Sequence, residues 1–513
     1  MTQMWESMCG FKKVVFVEVS NHRRLCLKWL LIYGGADQLC PWITINKLPD
    51  EVLIEIFDFY LACPLPRPSY EEDAWHTLVH VCRRWRYVVF GSPRRLDLRL
   101  LCMNRRLVKT LDIWPEVPIV IHVDNWRIGH WHLPSVTDVM SVLKRHDRVC
   151  KVFIDGVPSS LLEELATAGL PALIELELVA FEMDPQILPD SFLGGSVPRL
   201  QSLDLRGIPF PGIGKLLLST RDLVTLSLGS IPSAGYILPE AMVTILSALT
   251  KLKSLHLSFE TLEFWAHGAS RRPPALPRVV LPALTNFDFS GNSEYLEDIV
   301  SRIDAPLDCI DMTFFGELAS DITFFGGLAS DMPLLCDFIG RTKILEAPHR
   351  ADISLSSFNA RISLFQRKGD VDFKVLNILW YTPDSQLSSL AQACSWLLPP
   401  LPSLGHLGIY RYKSEFWSSH WLNEVENTQW MELLRPFITV KDLALDEPFV
   451  LSVASALQEL VGEQVTEMLP ALQNISLEGL QSSDPVPDGI AKFIAARGLS
   501  GCPVIVHHQD RKQ

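Results

Sequence analysis

The feature that most constrains this chain is a recurring phrase, L-x-x-L-x-L, in which two apolar residues alternate with others after a leading leucine. It stands as Leu173, Leu176, Leu178; as Leu200, Leu203, Leu205; as Leu223, Leu226, Leu228; and as Leu252, Leu255, Leu257. It continues as Leu284, Phe287, Phe289 and as Leu307, Ile310, Met312, with weaker copies beginning at Phe373, Leu404, Val440 and Leu472. Successive starts from Leu173 to Leu307 lie 27, 23, 29, 32 and 23 residues apart. Alternation with a period of two is the pattern of a strand with one buried face. The remaining ~17–25 residues of each period are enough for a helix or turn to bring the chain back. One such unit cannot bury its apolar side, whereas stacked neighbours can, so the phrase predicts an array. Prolines ahead of several strands (Pro171, Pro198, Pro282, Pro306, Pro402, Pro470) fit, because a strand entry can lack a ladder donor.

The period is that of leucine-rich repeats, with some long members. The expectation is an α/β fold in which residues 151–513 form an irregular leucine-rich-repeat solenoid of short parallel strands with returning helices or turns. Two stretches test its regularity. Thr313–Asp321 and Thr323–Asp331 are a near-perfect tandem decapeptide, and 66 residues separate Leu307 from Phe373. Residues 313–372 therefore either close or interrupt the stack, as a loop or a degenerate repeat. Near the other end, Asp488–Arg497 reads as a helix and Pro503–His507 as a final strand that caps the array.

Charge divides along the same line. Residues 1–150 hold 20 Lys+Arg against 16 Asp+Glu, a net of +4; the rest of the 46 and 59 are 26 and 43, a net of −17. An acidic array argues against general nucleic-acid binding, whose affinity comes from cations on phosphates.

Residues 1–43 show no sustained period and carry no assignment beyond an extension. From 44 to 95 a helical pattern appears, and 96–150 reads as a linker and first cap region. Pro49 suits a first helical position, with Asp50 and Glu51 at the positive helix start. Leu53, Ile56, Phe57 and Tyr60 then share one helix face. Cys63–Pro68, with prolines at 64, 66 and 68, stops that helix. A second is expected from the acidic Glu71–Asp73, with Trp75, Leu78, Val79 and Cys82 inward and Arg83, Arg84 and Arg86 near its end, closed by Gly91 and Pro93.

Leu48-Pro49-Asp50-Glu51-Val52-Leu53-Ile54-Glu55-Ile56-Phe57, followed by Leu78-Val79-His80-Val81-Cys82-Arg83-Arg84-Trp85-Arg86 and Ser92-Pro93, resembles the F-box. The resemblance covers about a tenth of the chain and implies docking onto the Skp-type adaptor of a cullin–RING ubiquitin ligase. By position it assigns the adaptor contact to Leu48, Pro49, Leu53, Ile56 and Phe57 from the first part. Val81, Cys82 and Trp85 make contact, or support the packing, from the second. One departure is the connection between helices, which looks longer than the family's. A short helical unit also buries large apolar groups poorly alone, so a partner would complete its core. A plain helical cap on the array is the competing reading.

The array resembles the substrate-recognition half of F-box proteins with leucine-rich repeats. Residues between the strand leucines would line the surface that holds a target: Glu175, Glu177, Ser202, Asp204, Arg206, Thr225, Ser227, His256, Asn286, Asp288, Asp311, Tyr410, Asp442 and Asp446. Their acidic share suggests a target with a basic segment, although a solvated face of an acidic domain has the same composition. The chain is then a non-catalytic subunit, the alternative being an interaction scaffold without ligase recruitment.

Chemical motifs are absent or incomplete. His76 and His80 stand four apart, but Thr77 replaces the Glu of H-E-x-x-H. His122, His130 and His132 form a loose cluster beside Trp126 and Trp131. Gly212-Ile-Gly214-Lys215 misses the spacing of a phosphate loop, with Leu216 in place of the hydroxyl residue. No G-x-S-x-G elbow occurs, so no catalytic residue, metal ligand or cofactor is expected. Eleven cysteines at irregular spacing, without C-x-x-C, suit reduced thiols in a cytoplasmic or nuclear chain. No apolar run reaches membrane-spanning length, and Met1–Gly10 lacks the early basic residue of a secretory leader. The sequon at Asn474 falls within an expected strand.

Overall fold

In the six phrases from Leu173 to Leu307 the leading leucine sits in the turn that enters a strand, and the next two apolar residues are buried within it. The computed structural model describes residues 14–19, 26–31, 48–62, 75–93, 95–102, 111, 116–123, 135–181, 187–259, 278–315, 333–342, 348–357, 359–369, 371–381, 387, 390–391, 394–395, 403–412, 420–423, 425–460, 462–480 and 485–509. Its fold is mixed α/β, with a long, mostly parallel sheet of 16 strands of the leucine-rich-repeat kind. The chain packs as two units, Met1–Val123 with Gly129–Lys151, and Asp124–Ile128 with Val152–Gln513.

In the second unit, strands Glu175–Val179, Ser202–Arg206, Thr225–Ile231, Ser254–Phe259, Asn286–Gly291 and Cys309–Phe315 pair in parallel, each with the next. The register aligns Leu176, Leu203, Leu226, Leu255, Phe287 and Ile310 in one row. Leu178, Leu205, Leu228, Leu257, Phe289 and Met312 form a second, and both rows are buried together with the leading leucines. Helices Ile213–Leu218, Pro239–Ala248 and Ser293–Val300 return the chain and bury their own apolar faces, such as Leu216, Leu246 and Leu296. Each fully buried leucine stabilises the stack by about 1.5–3 kcal/mol, which is why the phrase tolerates variable connections. Gly207 (φ +67°) leaves the strand beside Ala180, whose carbonyl oxygen would lie 2.6 Å from an added Cβ.

Between 313 and 372 the stack continues, but with one strand reversed. Cys309–Phe315 pairs in parallel with Val371–Tyr381, not with the strand that follows it in sequence. Asn359–Lys368 lies antiparallel to that strand and to Arg350–Leu355, which in turn runs parallel to His406–Arg411. Phe373 does not act as a leading residue. It lies within the antiparallel arm, opposite Gln366 and beyond the neighbouring strands, and is 49% exposed. Val375, Leu376 and Ile378 supply the burial instead. The decapeptide beyond residue 315 lies outside the described residues. The parallel order then resumes through Asp442–Asp446, Asn474–Glu478 and Ile505–Gln509, preceded by helix Asp488–Leu499. The sequon asparagine is the first residue of a paired strand.

In the first unit, helix Asp50–Ala62 packs with two short helices, Trp75–Val79 and Arg83–Gly91. The single second helix expected from the sequence is thus two. Cys82 adopts an extended backbone between them, and its Sγ accepts from the Trp85 amide at 3.4 Å, which caps the new helix. The arginines therefore open a helix rather than end one, and acceptors take up their charge. Arg84 donates to Asp50 (2.6 and 3.0 Å) and to the Leu48 carbonyl, while Arg86 donates to the Val79 carbonyl at 3.0 Å. Strands Leu100–Cys102 and Ile119–Val123 pair in parallel within 96–150, and Ser135 with Asp138 forms a capping box on helix Val136–Leu143. Within 1–43, Val14–Val19 pairs antiparallel with Cys26–Leu31.

Candidate functional site

Two surfaces carry the residues singled out in the sequence, one in each unit. Helix Asp50–Ala62 presents apolar groups on two sides. Leu53 (0% exposed) and Phe57 (1%) face inward, where the Phe57 ring lies 4.7 Å from that of Trp85, itself buried. Val52 and Phe59 are exposed and Ile56 half-exposed, at spacings of four and three, so they form one outward stripe. Pro49 and Val81 are also exposed; Leu48 and Cys82 are half-buried. Of the eight residues assigned by resemblance, Leu53, Phe57 and Trp85 are core, whereas Pro49, Ile56 and Val81 reach the surface. Val52 and Phe59 were missed, although the 52–56–59 spacing was there to be read.

In the array, residues between the buried rows sit on the sheet face away from the helices. The register sets Glu177, Asp204, Ser227, His256, Asp288, Asp311 and Asn377 side by side, and continues through Ser363 to Asp352. Glu175, Ser202, Thr225 and Asn286 form a parallel row on the same face. Adjacent strands lie about 4.8 Å apart, close enough for neighbours to bond, and most do. Arg206 pairs with Asp204 at 2.6 Å and with Glu177 at 3.7 Å, and Asp204 accepts from Ser227 at 3.0 Å. His256 Nδ1 lies 2.9 Å from Asp288 Oδ2. Asn377 donates to Asp311 at 2.7 Å and accepts from Ser363 at 2.8 Å. The face is therefore less acidic than its composition: Arg206 offsets Asp204, while Asp288 meets a histidine and Asp311 an amide on this row.

Toward the far end, Arg350 holds Asp352 through two hydrogen bonds of 2.7 and 2.8 Å. Burial still raises the Asp352 carboxyl above its ordinary range, against the pull of Arg350. His406, aligned with Arg350 and with Asp442, is held below the usual imidazole range by burial and by that guanidinium. Tyr410 folds its ring over Gly408, where any Cβ would collide with it, and burial with Asp352 nearby raises its phenol. Asp442 accepts from Asn474 at 2.6 Å, and Asp446 is buried, accepting from the Arg411 amide at 3.1 Å. Arg350, Asp352, Arg361, His406 and Tyr412 are not marked in the sequence, because they meet through register between strands distant in sequence and no local pattern announces it.

The loose motifs of the sequence fall partly outside the described residues. Among the described residues no group of three His, Cys, Asp or Glu could hold a metal ion, and no helix is long and apolar enough to cross a membrane. His130, His132, Trp126 and Trp131 lie outside the described residues. Lys215 pairs with Asp190, and Gly212 precedes a short helix packed in the array.

No protein-family model matches the chain, and no curated protein matches it. Among solved structures, a leucine-rich repeat-containing protein, LegL7 from Legionella pneumophila, is 12% identical, with 79% of this chain and 98% of that chain covered at a TM-score of 0.27. The repeat assignment rests on the strand pairing itself.

Proposed function

We propose that this chain is the substrate receptor of a cullin–RING ubiquitin ligase, with residues 48–93 docking a Skp-type adaptor and the repeats holding a target protein. The observation that carries the reading is the outward pair Val52 and Ile56, beside the exposed Pro49, on the helix that opens with Leu48-Pro49-Asp50-Glu51. A soluble helix has no packing need for a second apolar side, and a partner would cover it. Leu53, Phe57 and Trp85 then hold the helices together, and Pro49, Ile56 and Val81 join Val52 and Phe59 in the contact. The chain performs no chemistry of its own and needs no cofactor; ubiquitin transfer takes place on its partners, in the cytoplasm or nucleus. Target contact falls to Glu175, Glu177, Asp204, Arg206, His256, Asp288, Asp311, Tyr410 and Asp442.

Co-precipitation of the chain with the adaptor and a cullin tests the reading, with a Leu48→Ala, Pro49→Ala variant as the comparison. Recovery of both partners by the wild type and their loss in the variant supports it. Absence of adaptor from the wild type sinks it. Adaptor without cullin favours the second reading, a repeat scaffold for protein interaction without ligase recruitment, which the bonded polar rows of the array support by themselves.

A further inference from the structure

We propose that Arg361 and Tyr412 form an anchor on the helix-free face of the array for a carboxylate of the bound protein, an aspartate or glutamate side chain. The inference rests on the reading that this face holds a target. Composition alone points the other way, since the array carries the negative charge and predicts a basic partner.

The anchor is a product of the reversed strand. Arg361 alternates with the buried Ala360 and Ile362, so it stands on the face away from the core, opposite Ser354 on one neighbour and Leu379 on the other. Ser354 in turn aligns with Tyr410, two residues before Tyr412. The guanidinium lies 4.7 Å from the centre of the Tyr412 ring and donates from Nη2 to the Tyr412 hydroxyl at 3.2 Å. Stacking on that ring fixes the plane of the fork. No carboxylate among the described residues pairs with it, in contrast to Arg206, Arg302, Arg341 and Arg350, each of which has one. Its Nε is shielded from solvent and has no acceptor. Leu379 and Ser363 beside it are buried, so the group stands next to a dehydrated stretch where a charge-assisted bond is strong. A half-buried cation, oriented by an aromatic ring and without a counter-ion among the described residues, is a prepared donor. A carboxylate is the acceptor that its planar fork matches in two parallel bonds.

The test is selection from a random 12-residue peptide display library on the full chain, comparing wild type with Arg361→Gln and with Tyr412→Phe. Arg361→Gln keeps the aliphatic stem and a neutral polar end while removing the charge, and Tyr412→Phe keeps the ring; thermal melting verifies that the array stays folded. The wild type should enrich Asp or Glu at one fixed position. Peptides so selected should bind Arg361→Gln at least roughly tenfold more weakly, the scale of one charge-assisted hydrogen bond, and a Gln or Asn in that position should abolish the difference. Phosphoserine at that position should not exceed the carboxylate; if it does, the site is one for phosphate and the proposal is overturned. Equal acid enrichment in wild type and Arg361→Gln, or enrichment without any acid, also overturns it. Either failure leaves adaptor co-precipitation unchanged, so the ligase reading and the anchor fail separately.

Discussion

Replacing Arg497 by Met removes a cation that is 1% exposed and whose hydrogen-bond acceptors among the described residues are all backbone carbonyls. Nη1 donates to Val465, Met468 and Leu469 at 3.2, 3.2 and 3.3 Å, and Nη2 to Pro470 and Leu472 at 3.2 and 3.3 Å. Nε reaches the Cys502 carbonyl at 3.4 Å. One side chain on helix Asp488–Leu499 thus ties the turn ahead of strand Asn474–Glu478 to the turn ahead of the final strand. A buried acceptor stripped of its donor costs about 1–3 kcal/mol. Some keep a second partner, as the Leu469 carbonyl does with the Leu472 amide at 3.0 Å, so two or three of the acceptors are stranded, about 3–6 kcal/mol in all. Relief from dehydrating the guanidinium returns part of this, leaving about 2–4 kcal/mol. Arg497→Lys, with three donors for the same carbonyls, should fall between. Hydrogen exchange of residues 464–509 should accelerate in Arg497→Met while strands near Leu203 and Leu226 keep their protection, because repeats couple mainly to neighbours. Unchanged exchange in that segment would refute the claim that Arg497 ties these two turns together.

Other consequences follow from single groups. Phe57→Ala empties the site facing Trp85 and should cost the helical module about 3–5 kcal/mol, seen as early loss of its helix signal; a variant that melts like the wild type would place the core elsewhere. His406 is held neutral by burial and by Arg350 and His349, against the opposing pull of Asp352 and Asp442. Its folded pKa is below the unfolded value, so the unfolded chain binds more protons and stability falls as pH drops below about 6.5. His406→Gln should therefore lose less stability between about pH 7.5 and 5 than the wild type in urea titrations; an equal loss contradicts the assignment. Reversing Asp288 and Asp311 to Lys should weaken target capture and leave adaptor binding intact, and unchanged capture would move the contact off this row.

The array was legible because each L-x-x-L-x-L phrase spends its leucines on burial, and a buried row tolerates little else. Leu173 through Met312 appear where the spacing puts them. Phe373 misled because a leading position and an arm of a hairpin share one alternating pattern, and only pairing partners separate them. Strands Ile119–Val123 and Val149–Asp155 do not show the phrase, since Ile and Val replace its leucines, and Leu100–Cys102 is only three residues long. The surface was harder to read. Spacing placed Glu177, Asp204, Asp288 and Asp311 on one face, but the pairings with Arg206, His256 and Asn377 depend on register between strands distant in sequence. Arg361 and Tyr412 meet only because Asn359–Lys368 runs backwards. In the helical module, Leu53 and Phe57 share the helix with Val52, Ile56 and Phe59, and sequence alone does not say which side turns inward.

The proposed docking turns on the outward side of helix Asp50–Ala62. Calorimetric titration of the full chain with a purified Skp-type adaptor should give one-to-one binding, and Val52→Asp with Phe59→Asp should abolish it while melting and the protection of the repeats stay as in the wild type. Binding that survives both aspartates, or an absence of heat with the wild type, would contradict the central claim.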